Sequence, residues 1–155
     1  MRKSNPEIVS LSKNKKAFHD YEILESFEAG IVLTGEEVKS IRDSQINLKG
    51  SFIDVFNEEA FMNEAHVSRY KFSSSKEYNP TRRRKLILHK KETHKIDGAI
   101  SQKGVTAIPL EVYLKKGLIK IAVGICRGKK LYDKRDSLKK RDQKRDIDNA
   151  IKELR

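Results

Sequence analysis

The sequence has no tryptophan, a single cysteine and no long run of apolar residues. With one cysteine the chain cannot form an internal disulfide, and a lone thiol suits a reducing compartment. Cys126 lies in the apolar stretch IAVGIC, which favours a buried structural thiol. The longest apolar stretches are far shorter than the roughly 20 residues that cross a bilayer, and no signal peptide is recognisable. We therefore expect a cytoplasmic protein with no membrane association.

Apolar residues are scarce, whereas charged residues are abundant. Of 155 residues, 37% are hydrophobic and 36% are charged, and 34 Lys and Arg against 22 Asp and Glu give a net charge of +12. This length predicts one domain with a modest aliphatic core. The excess of basic charge favours a polyanionic partner. Nucleic acid fits better than anionic lipid, which prefers a basic helix with bulky apolar anchors.

The motifs of common catalytic and metal sites are also missing. The four histidines form neither an HExxH motif nor a Cys/His ladder, and the scattered glycines form no phosphate-binding loop. His19 and Asp20, beside Lys15 and Lys16, resemble a nuclease site only superficially, because we expect an extended segment that points adjacent side chains in opposite directions. The sequence therefore predicts neither an enzyme nor a metal site.

Short apolar runs predict a small antiparallel β domain of the α+β class. Strands do not alternate with helices as in a parallel sheet, and we expect closure into an OB-type small β-barrel with flanking helices. Pro109 fits a bulge or a sheet edge. A polar lead, expected to be flexible over residues 1–13, comes first. The predicted elements are β runs at 21–27 and 31–33, a helix from Gly35, a hairpin turning at 57–59, a helix over 83–101, and strands over 105–114 and 117–126.

The end of the chain differs in character from the rest. We expect residues 1–127 to form the barrel and residues 128–155 to form a tail, which contains 11 Lys and Arg against 6 Asp and Glu. Ile147, Ala150, Ile151 and Leu154 give the tail a short apolar stripe. This is too little apolar surface to fold alone, so the composition indicates a segment that becomes ordered on a partner.

Basic clusters next to aromatic residues provide the strongest functional indication. NKKAFHDY, PTRRRK and RGKKLYDKR each contain or adjoin an aromatic residue that can stack on an unpaired base, namely Phe18, Tyr21, Tyr78 or Tyr132. These clusters predict an RNA-binding protein. Two alternatives remain: an RNA-processing enzyme, with or without a metal, and a general OB-type protein associated with translation.

Four stretches follow one another along the chain in a recognisable order: HDYEILESFEAGIVLTGEEVKSIR, NPTRRRKLILHKKE, GVTAIPLEVYLKKG and GICRGKKLYDKR. Together they closely resemble the SsrA-binding protein (small protein B) family of bacteria. The resemblance implies an OB-type barrel that is not catalytic, needs no cofactor and binds the tRNA-like domain of transfer-messenger RNA (tmRNA). It further implies delivery of tmRNA to stalled ribosomes for trans-translation and ribosome rescue, by a protein that is monomeric on the RNA.

The resemblance also implies which residues contact RNA and the ribosome. The tail is expected to be disordered when free, and to become helical and sense the empty mRNA channel next to the small-subunit decoding centre. The expected RNA-binding residues are Asn14, Lys15, Lys16, Glu28, Lys39, Arg42, Arg82, Arg84, Lys85, Leu86 (with the apolar run to Leu88), Arg127, Lys129 and Lys130. The expected ribosome-contacting residues of the tail are Tyr132, Asp133, Lys134, Arg135, Lys139, Lys140, Ile151 and Lys152. Phe18 and Asn79 depart from the family pattern, in which a basic residue and Asp are usual.

Overall fold

Nine strands and three helices occur in residues 8–73 and 77–129, which are the residues that this computed structural model describes. The strands are β1 (Ile8–Lys13), β2 (Tyr21–Ile31), β3 (Ile46–Asn47), β4 (Phe52–Phe56), β5 (Glu59–Asn63), β6 (His66–Val67), β7 (Arg84–Ile87), β8 (Val105–Lys115) and β9 (Leu118–Gly128). The helices are α1 (Lys15–Asp20), α2 (Gly35–Arg42) and α3 (Lys90–Ile100).

Six strands close into a ring. Their order is β8–β4–β5–β7–β2–β9, and the long pairing of β8 with β9 completes it. Strand β1 attaches outside the ring to β8, while β3 and β6 form a separate two-stranded sheet. Every strand pairing in the described part of the chain is antiparallel. The predicted class, mainly antiparallel β with a few helices, is confirmed.

The predicted hairpin at 57–59 forms, and the last two predicted strands also pair as a hairpin. Asn57 and Glu58 join β4 to β5 with φ of 51° and 63°, and Lys116 and Gly117 join β8 to β9 with φ of 52° and 81°. Two successive residues with positive φ match the twist of the flanking strands. The register of β8 against β9 shifts just after Pro109, so the predicted bulge is confirmed.

The ring packs an aliphatic core. Ile96 of α3, Met62 of β5 and Val112 of β8 are fully buried in its main cluster. A second cluster surrounds Cys126, where burial raises the pKa of the thiol to about 12. A Cβ added at Gly124 would lie 2.6 Å from Leu110 Cδ1, so a larger residue there would require the Leu110 side chain to move. The buried structural thiol predicted from the sequence is confirmed.

The beginning of the chain is more ordered than the sequence suggested. Ile8–Lys13 pairs with β8, so the expectation of a flexible lead is wrong for these six residues. The next residues form α1 rather than an extended segment, because the Asn14 side chain caps that helix by accepting a hydrogen bond from the amide of Ala17. Pairing with a distant strand and a local cap are both invisible to hydrophobic periodicity.

Two further boundaries differ from the prediction. Strand β2 runs unbroken through Ala29 and Gly30, because β9 and β7 pair with it on either side. The predicted helix over 83–101 is in fact strand β7 followed by the shorter helix α3. Leu86 fits a helical spacing with the later residues, but it pairs with Ala60 of β5 instead. Tertiary pairing outweighs local periodicity at both places.

Candidate nucleic-acid interface

Glu28 lies on the outer surface of the ring and is held by two neighbours. Its Oε2 accepts a hydrogen bond of 2.5 Å from the Tyr113 hydroxyl, and Lys115 Nζ lies 3.3 Å from both of its oxygens. The hydrogen bond from Tyr113, together with Lys115 and the charge of Lys120, holds the pKa of Glu28 below its ordinary value. Burial and the same hydrogen bond raise the pKa of Tyr113. The carboxylate therefore stays ionised and fixed in direction.

An apolar side chain lies beside this ionic group. Ile87 pairs with Gly30 across β7 and β2 and is 59% exposed. Its Cβ lies 3.4 Å from the position that a Cβ on Gly30 would take, so Gly30 leaves room for Ile87 to lie over β2. Lys120 pairs with Tyr113 and therefore points to the same side of the sheet. We call this surface the Glu28 face; it comprises Glu28, Ile87, Tyr113, Lys115 and Lys120.

The Glu28 face combines three kinds of contact that suit folded RNA. A fixed carboxylate can accept hydrogen bonds from base amino groups, and the ammonium groups of Lys115 and Lys120 can neutralise phosphates. The exposed Ile87 supplies an apolar contact for a sugar or an unstacked base. Charge alone would bind any RNA, whereas the carboxylate and the apolar contact discriminate between sequences and shapes.

Arg84, expected to bind RNA, lies instead in the protein interior with no exposed surface. Its Nε lies 2.8 Å from Glu37 Oε2, and its other nitrogens donate to the carbonyls of Ala65 and Pro80 at 3.0 Å each. The prediction for Arg84 is therefore corrected. Its role is to join α2, β7 and the segment before β7.

Glu37 is the centre of this buried cluster. It accepts hydrogen bonds from Arg82 at 2.7 and 3.1 Å, and from the amide of Thr34, whose side chain in return caps α2. Burial by itself raises the pKa of Glu37, but the hydrogen bonds from Arg82, Thr34 and Arg84 outweigh it and lower the pKa to about 2. Arg82, another expected RNA-binding residue, keeps 38% of its side chain exposed while it holds Glu37.

Two more expected RNA-binding side chains are buried. Leu86 is 2% exposed and belongs to the core, because alternate residues of β7 point inwards. Its neighbours Lys85 and Ile87 point outwards, so the exposed member of the apolar run is Ile87. Asn14 is 5% exposed, and its Nδ2 donates to the carbonyls of Leu48 and Pro109. For these side chains, too, the predicted RNA contact is corrected.

A second basic surface forms around α1. Lys15 and Lys16 are exposed there, and Lys16 Nζ lies 3.0 Å from Asp20 Oδ2. The backbone amide of Lys129 donates to the carbonyl of Asp20, which brings the end of β9 and the exposed Arg127 to this helix. His19 Nδ1 lies 2.7 Å from Asp20 Oδ1, so the expectation that these neighbours point apart is wrong. We call Lys15, Lys16, Arg127 and Lys129 the α1 surface.

The remaining expected residues lie either at other exposed positions or outside the described residues. Lys39 and Arg42 lie exposed on α2, and Arg42 donates to the carbonyl of Gly117 at the β8–β9 turn. Lys85 is exposed next to the Glu28 face, where its Nζ lies 2.8 Å from Glu59 Oε2. Lys130 and the tail residues Tyr132, Asp133, Lys134, Arg135, Lys139, Lys140, Ile151 and Lys152 lie outside the described residues.

Sequence reasoning missed three residues of the Glu28 face, namely Tyr113, Lys115 and Lys120. The alternation along β8 and β9 contained a signal, because it places these side chains on the side of each strand opposite to Val112 and Ile121. It could not show that Glu28 lies across from them. Among the described residues, no group of three or more His, Cys, Asp and Glu could hold a metal ion. No helix there is long and apolar enough to span a membrane.

Comparisons with known proteins agree with the resemblance. The family model described as "SmpB protein" matches residues 11–153. The SsrA-binding protein of Clostridium beijerinckii is 50% identical over 144 residues, which cover 93% of this chain and 92% of the relative. That of Shouchella clausii is 51% identical over 143 residues and covers 92% of both chains.

A solved structure gives the same result in three dimensions. A chain described as "tmRNA-SmpB: a journey to the center of the bacterial ribosome" has a TM-score of 0.66 and 41% identity to this protein. The match covers 86% of this chain and 94% of that chain. With a family model over most of its length and relatives that are half identical, the chain belongs to the SmpB family of SsrA-binding proteins.

Proposed function

We propose that the protein binds tmRNA and acts with it in trans-translation on the ribosome. As a member of the SmpB family it is an RNA-binding protein and not an enzyme. Its relatives are named for binding SsrA RNA, and its solved relative is described as tmRNA–SmpB in the bacterial ribosome. The partners are accordingly tmRNA and the ribosome, and the place of action is the bacterial cytoplasm.

The observation that supports this proposal best is the fixed ionised carboxylate on the Glu28 face. A carboxylate is unexpected within a surface that contacts RNA, because it repels the phosphates. Here Tyr113 and Lys115 hold Glu28 on the same side of the sheet as the exposed Ile87. We infer that this face binds the tRNA-like domain of tmRNA, reading base amino groups rather than phosphates alone.

We infer that the ring of six strands is an OB-type barrel. It is closed, it is antiparallel throughout, and α3 packs on it through Thr93 and Ile96. Barrels of this kind commonly bind oligonucleotides on one exposed face, and the Glu28 face lies on such a surface. The predicted boundary between residues 127 and 128 falls at the end of β9, whose last residue is Gly128, and we infer that the tail begins there.

The α1 surface is the second part of the proposal. Lys129 hydrogen-bonds to α1, so Lys15, Lys16 and Arg127 lie where the chain leaves the ring and the tail begins. We infer that this side faces the small-subunit decoding centre. The basic tail then enters the vacant mRNA channel, orders there, and senses that no message is present. One protein molecule acts with one RNA molecule.

A gel-shift assay with the isolated tRNA-like domain tests the Glu28 face. Ile87→Ser and Lys120→Ala should each weaken binding, and bulk tRNA should compete poorly. Phe56→Ser is the matched control for Ile87→Ser, because Phe56 is 60% exposed on β4, which is separated from β7 by β5. Equal losses in Ile87→Ser and Phe56→Ser would contradict the proposal.

The same assay separates the proposal from the alternative of an RNA-processing enzyme. The RNA is incubated with the protein with and without EDTA and then run on a denaturing gel. Retained, full-length RNA in both lanes is expected. Cleavage in either lane would contradict a purely binding role.

A further inference from the structure

Outside the Glu28 face, two aromatic rings of the segment that follows β6 lie near basic side chains of that segment and of α2. The rings of Tyr70 and Phe72 lie edge to face, with centroids 5.5 Å apart and planes inclined at 72°. Lys39 Nζ lies 5.4 Å from the centroid of Tyr70, and Lys71 Nζ lies 5.2 Å from that of Phe72. Arg69 is exposed beside them. We call Lys39, Arg69, Tyr70, Lys71 and Phe72 the Tyr70 platform.

The platform rests on a fixed base. The Ser40 hydroxyl of α2 donates to the carbonyl of Ser68 at 2.5 Å, and the amide of Ser68 donates to the carbonyl of Gln45. The amide of Ser73 in turn donates to the carbonyl of Tyr70. The first two bonds hold Ser68 against α2, and the third closes a turn at Tyr70, so the start of the segment that carries the two rings is fixed.

The rings contribute little to the core. Phe72 is 73% exposed, the largest value among the exposed large hydrophobic side chains of the described residues. Tyr70 borders a groove of about 300 Å³ between α2 and the segment, where Ser40, Asp43 and Gln45 provide polar groups. An exposed phenylalanine next to a polar groove and three cations has no evident structural use, whereas it suits a ligand with flat rings and negative charge.

We propose that the Tyr70 platform binds an unpaired segment of RNA. Bases stack on Phe72 and Tyr70, because every base has a flat face that can lie against an aromatic ring. Lys39, Arg69 and Lys71 neutralise the adjacent phosphates. At a base edge in the groove, Asp43 can accept hydrogen bonds and Gln45 can accept or donate them. The proposal rests on the proposed function only in taking the partner to be RNA.

RNA fits this surface better than a protein does. Asp43 is the only acidic residue among those that form the groove and the platform, against three basic ones. The surface is also continuous with the proposed RNA contacts. Lys39 and Arg42 share α2, and Arg42 bonds to Gly117 in the turn that follows Lys115 of the Glu28 face. A strand leaving the Glu28 face can therefore run along α2 to the platform.

A short unstructured RNA with 2-aminopurine in place of one adenine tests the proposal on the full-length protein. Stacking on an aromatic ring quenches the fluorescence of this base. The variant Tyr70→Leu/Phe72→Leu keeps apolar bulk but removes both aromatic faces. It should lose the quenching and bind the oligonucleotide about tenfold more weakly, in line with the usual contribution of one stacked base. Lys39→Ala should weaken binding and flatten its salt dependence.

The control variant is Phe52→Leu/Phe56→Leu, which removes two other exposed phenylalanines, both on β4. It should bind and quench as the unaltered protein does. Unchanged quenching in Tyr70→Leu/Phe72→Leu, or no quenching by the unaltered protein, would overturn the proposal. Glu28→Ala should leave this oligonucleotide signal intact while it weakens binding of the tRNA-like domain. Failure of the platform and failure of the Glu28 face are therefore distinguishable.

Discussion

The carboxylate of Glu28 accepts a hydrogen bond from the hydroxyl of Tyr113, a residue 85 positions later in the chain. Strand β9 lies between β2, which carries Glu28, and β8, which carries Tyr113. The hydrogen bond therefore passes over β9 and depends on the register of β9 with each of the two strands. At Ala122, where β9 passes beneath, a small side chain leaves room for this contact. An ionised carboxylate is thus held in one direction beside Lys115 and Lys120.

Glu28→Ala should weaken binding of the tRNA-like domain by about 1–3 kcal/mol, the usual loss when a hydrogen-bonded charged group is removed. The fold should be unaffected, because Glu28 lies on the surface and contributes little to the core. Titration by gel shift and a thermal melt measure the two effects. Glu22→Ala, an exposed carboxylate on the same strand, is the control and should bind normally. Equal losses of stability and of binding would show that Glu28 is structural.

Arg84 and Lys85 are neighbours with opposite roles, and their variants should separate stability from binding. Arg84→Met removes a fully buried partner of Glu37 and should lower the free energy of unfolding by about 3–5 kcal/mol. Lys85→Met should leave stability almost unchanged and weaken RNA binding modestly, since Lys85 is an exposed cation beside Ile87. Urea unfolding and gel shifts distinguish the two. An Arg84→Met protein of normal stability would contradict the structural role.

The stability of the protein should fall in acid because of Glu37. The pKa of this carboxyl is about 2 in the folded protein, against an ordinary value of 4.5. A lowered pKa stabilises the fold above the ordinary value, and the stabilisation is lost as the pH falls from about 4.5 to 2. The expected loss is about 3 kcal/mol over that range. Urea unfolding between pH 6 and pH 2 measures it.

Glu37→Gln is the control for the acid effect. It should be less stable than the unaltered protein at neutral pH, since it leaves Arg84 buried without its anionic partner. Its stability should also vary less between about pH 4.5 and 2, because the titrating group is gone. Identical pH dependence in both proteins would show that other carboxylates cause the loss.

Truncation after Gly128 should separate RNA binding from ribosome rescue. The Glu28 face and α2 precede this point, so the truncated protein should fold and bind tmRNA. Tagging of peptides on stalled ribosomes should fail, because nothing remains to occupy the mRNA channel. Charge reversal at Lys134 and Arg135 should abolish tagging and leave RNA affinity within a few-fold. Full tagging by the truncated protein would show that the tail is not a sensor of the channel.

Much of the fold was predictable because local patterns and tertiary structure agree. The alternation of Ile119, Ile121, Val123 and Ile125 predicts β9, and the glycine of the Lys116–Gly117 turn predicts its hairpin with β8. Strand β7 was not predictable in this way. It has only four residues, and the helical spacing between Leu86 and Thr93 favours a helix. Its pairing with β5 and β2 decides the matter.

The candidate site, like the fold, was predictable only in part. Motif resemblance alone selected Glu28, Lys39 and Arg42, and all three are exposed. It also selected Asn14, Arg84 and Leu86, which are buried, because a sequence motif does not state which of its members face inwards. Lys120 and Tyr113 were missed, since their relation to Glu28 depends on the register of three strands.

The sequence by itself determined the family, the antiparallel β class, the excess of basic charge and the change of composition at residue 128. These follow from composition, from period-two alternation and from motifs, all of which are properties of neighbouring residues. Only the tertiary structure decided that Arg84 stabilises the interior while Ile87, three residues later, lies on the surface. Burial and ion pairing depend on strands that are distant in sequence and adjacent in space. Local sequence patterns do not show which distant strands become neighbours.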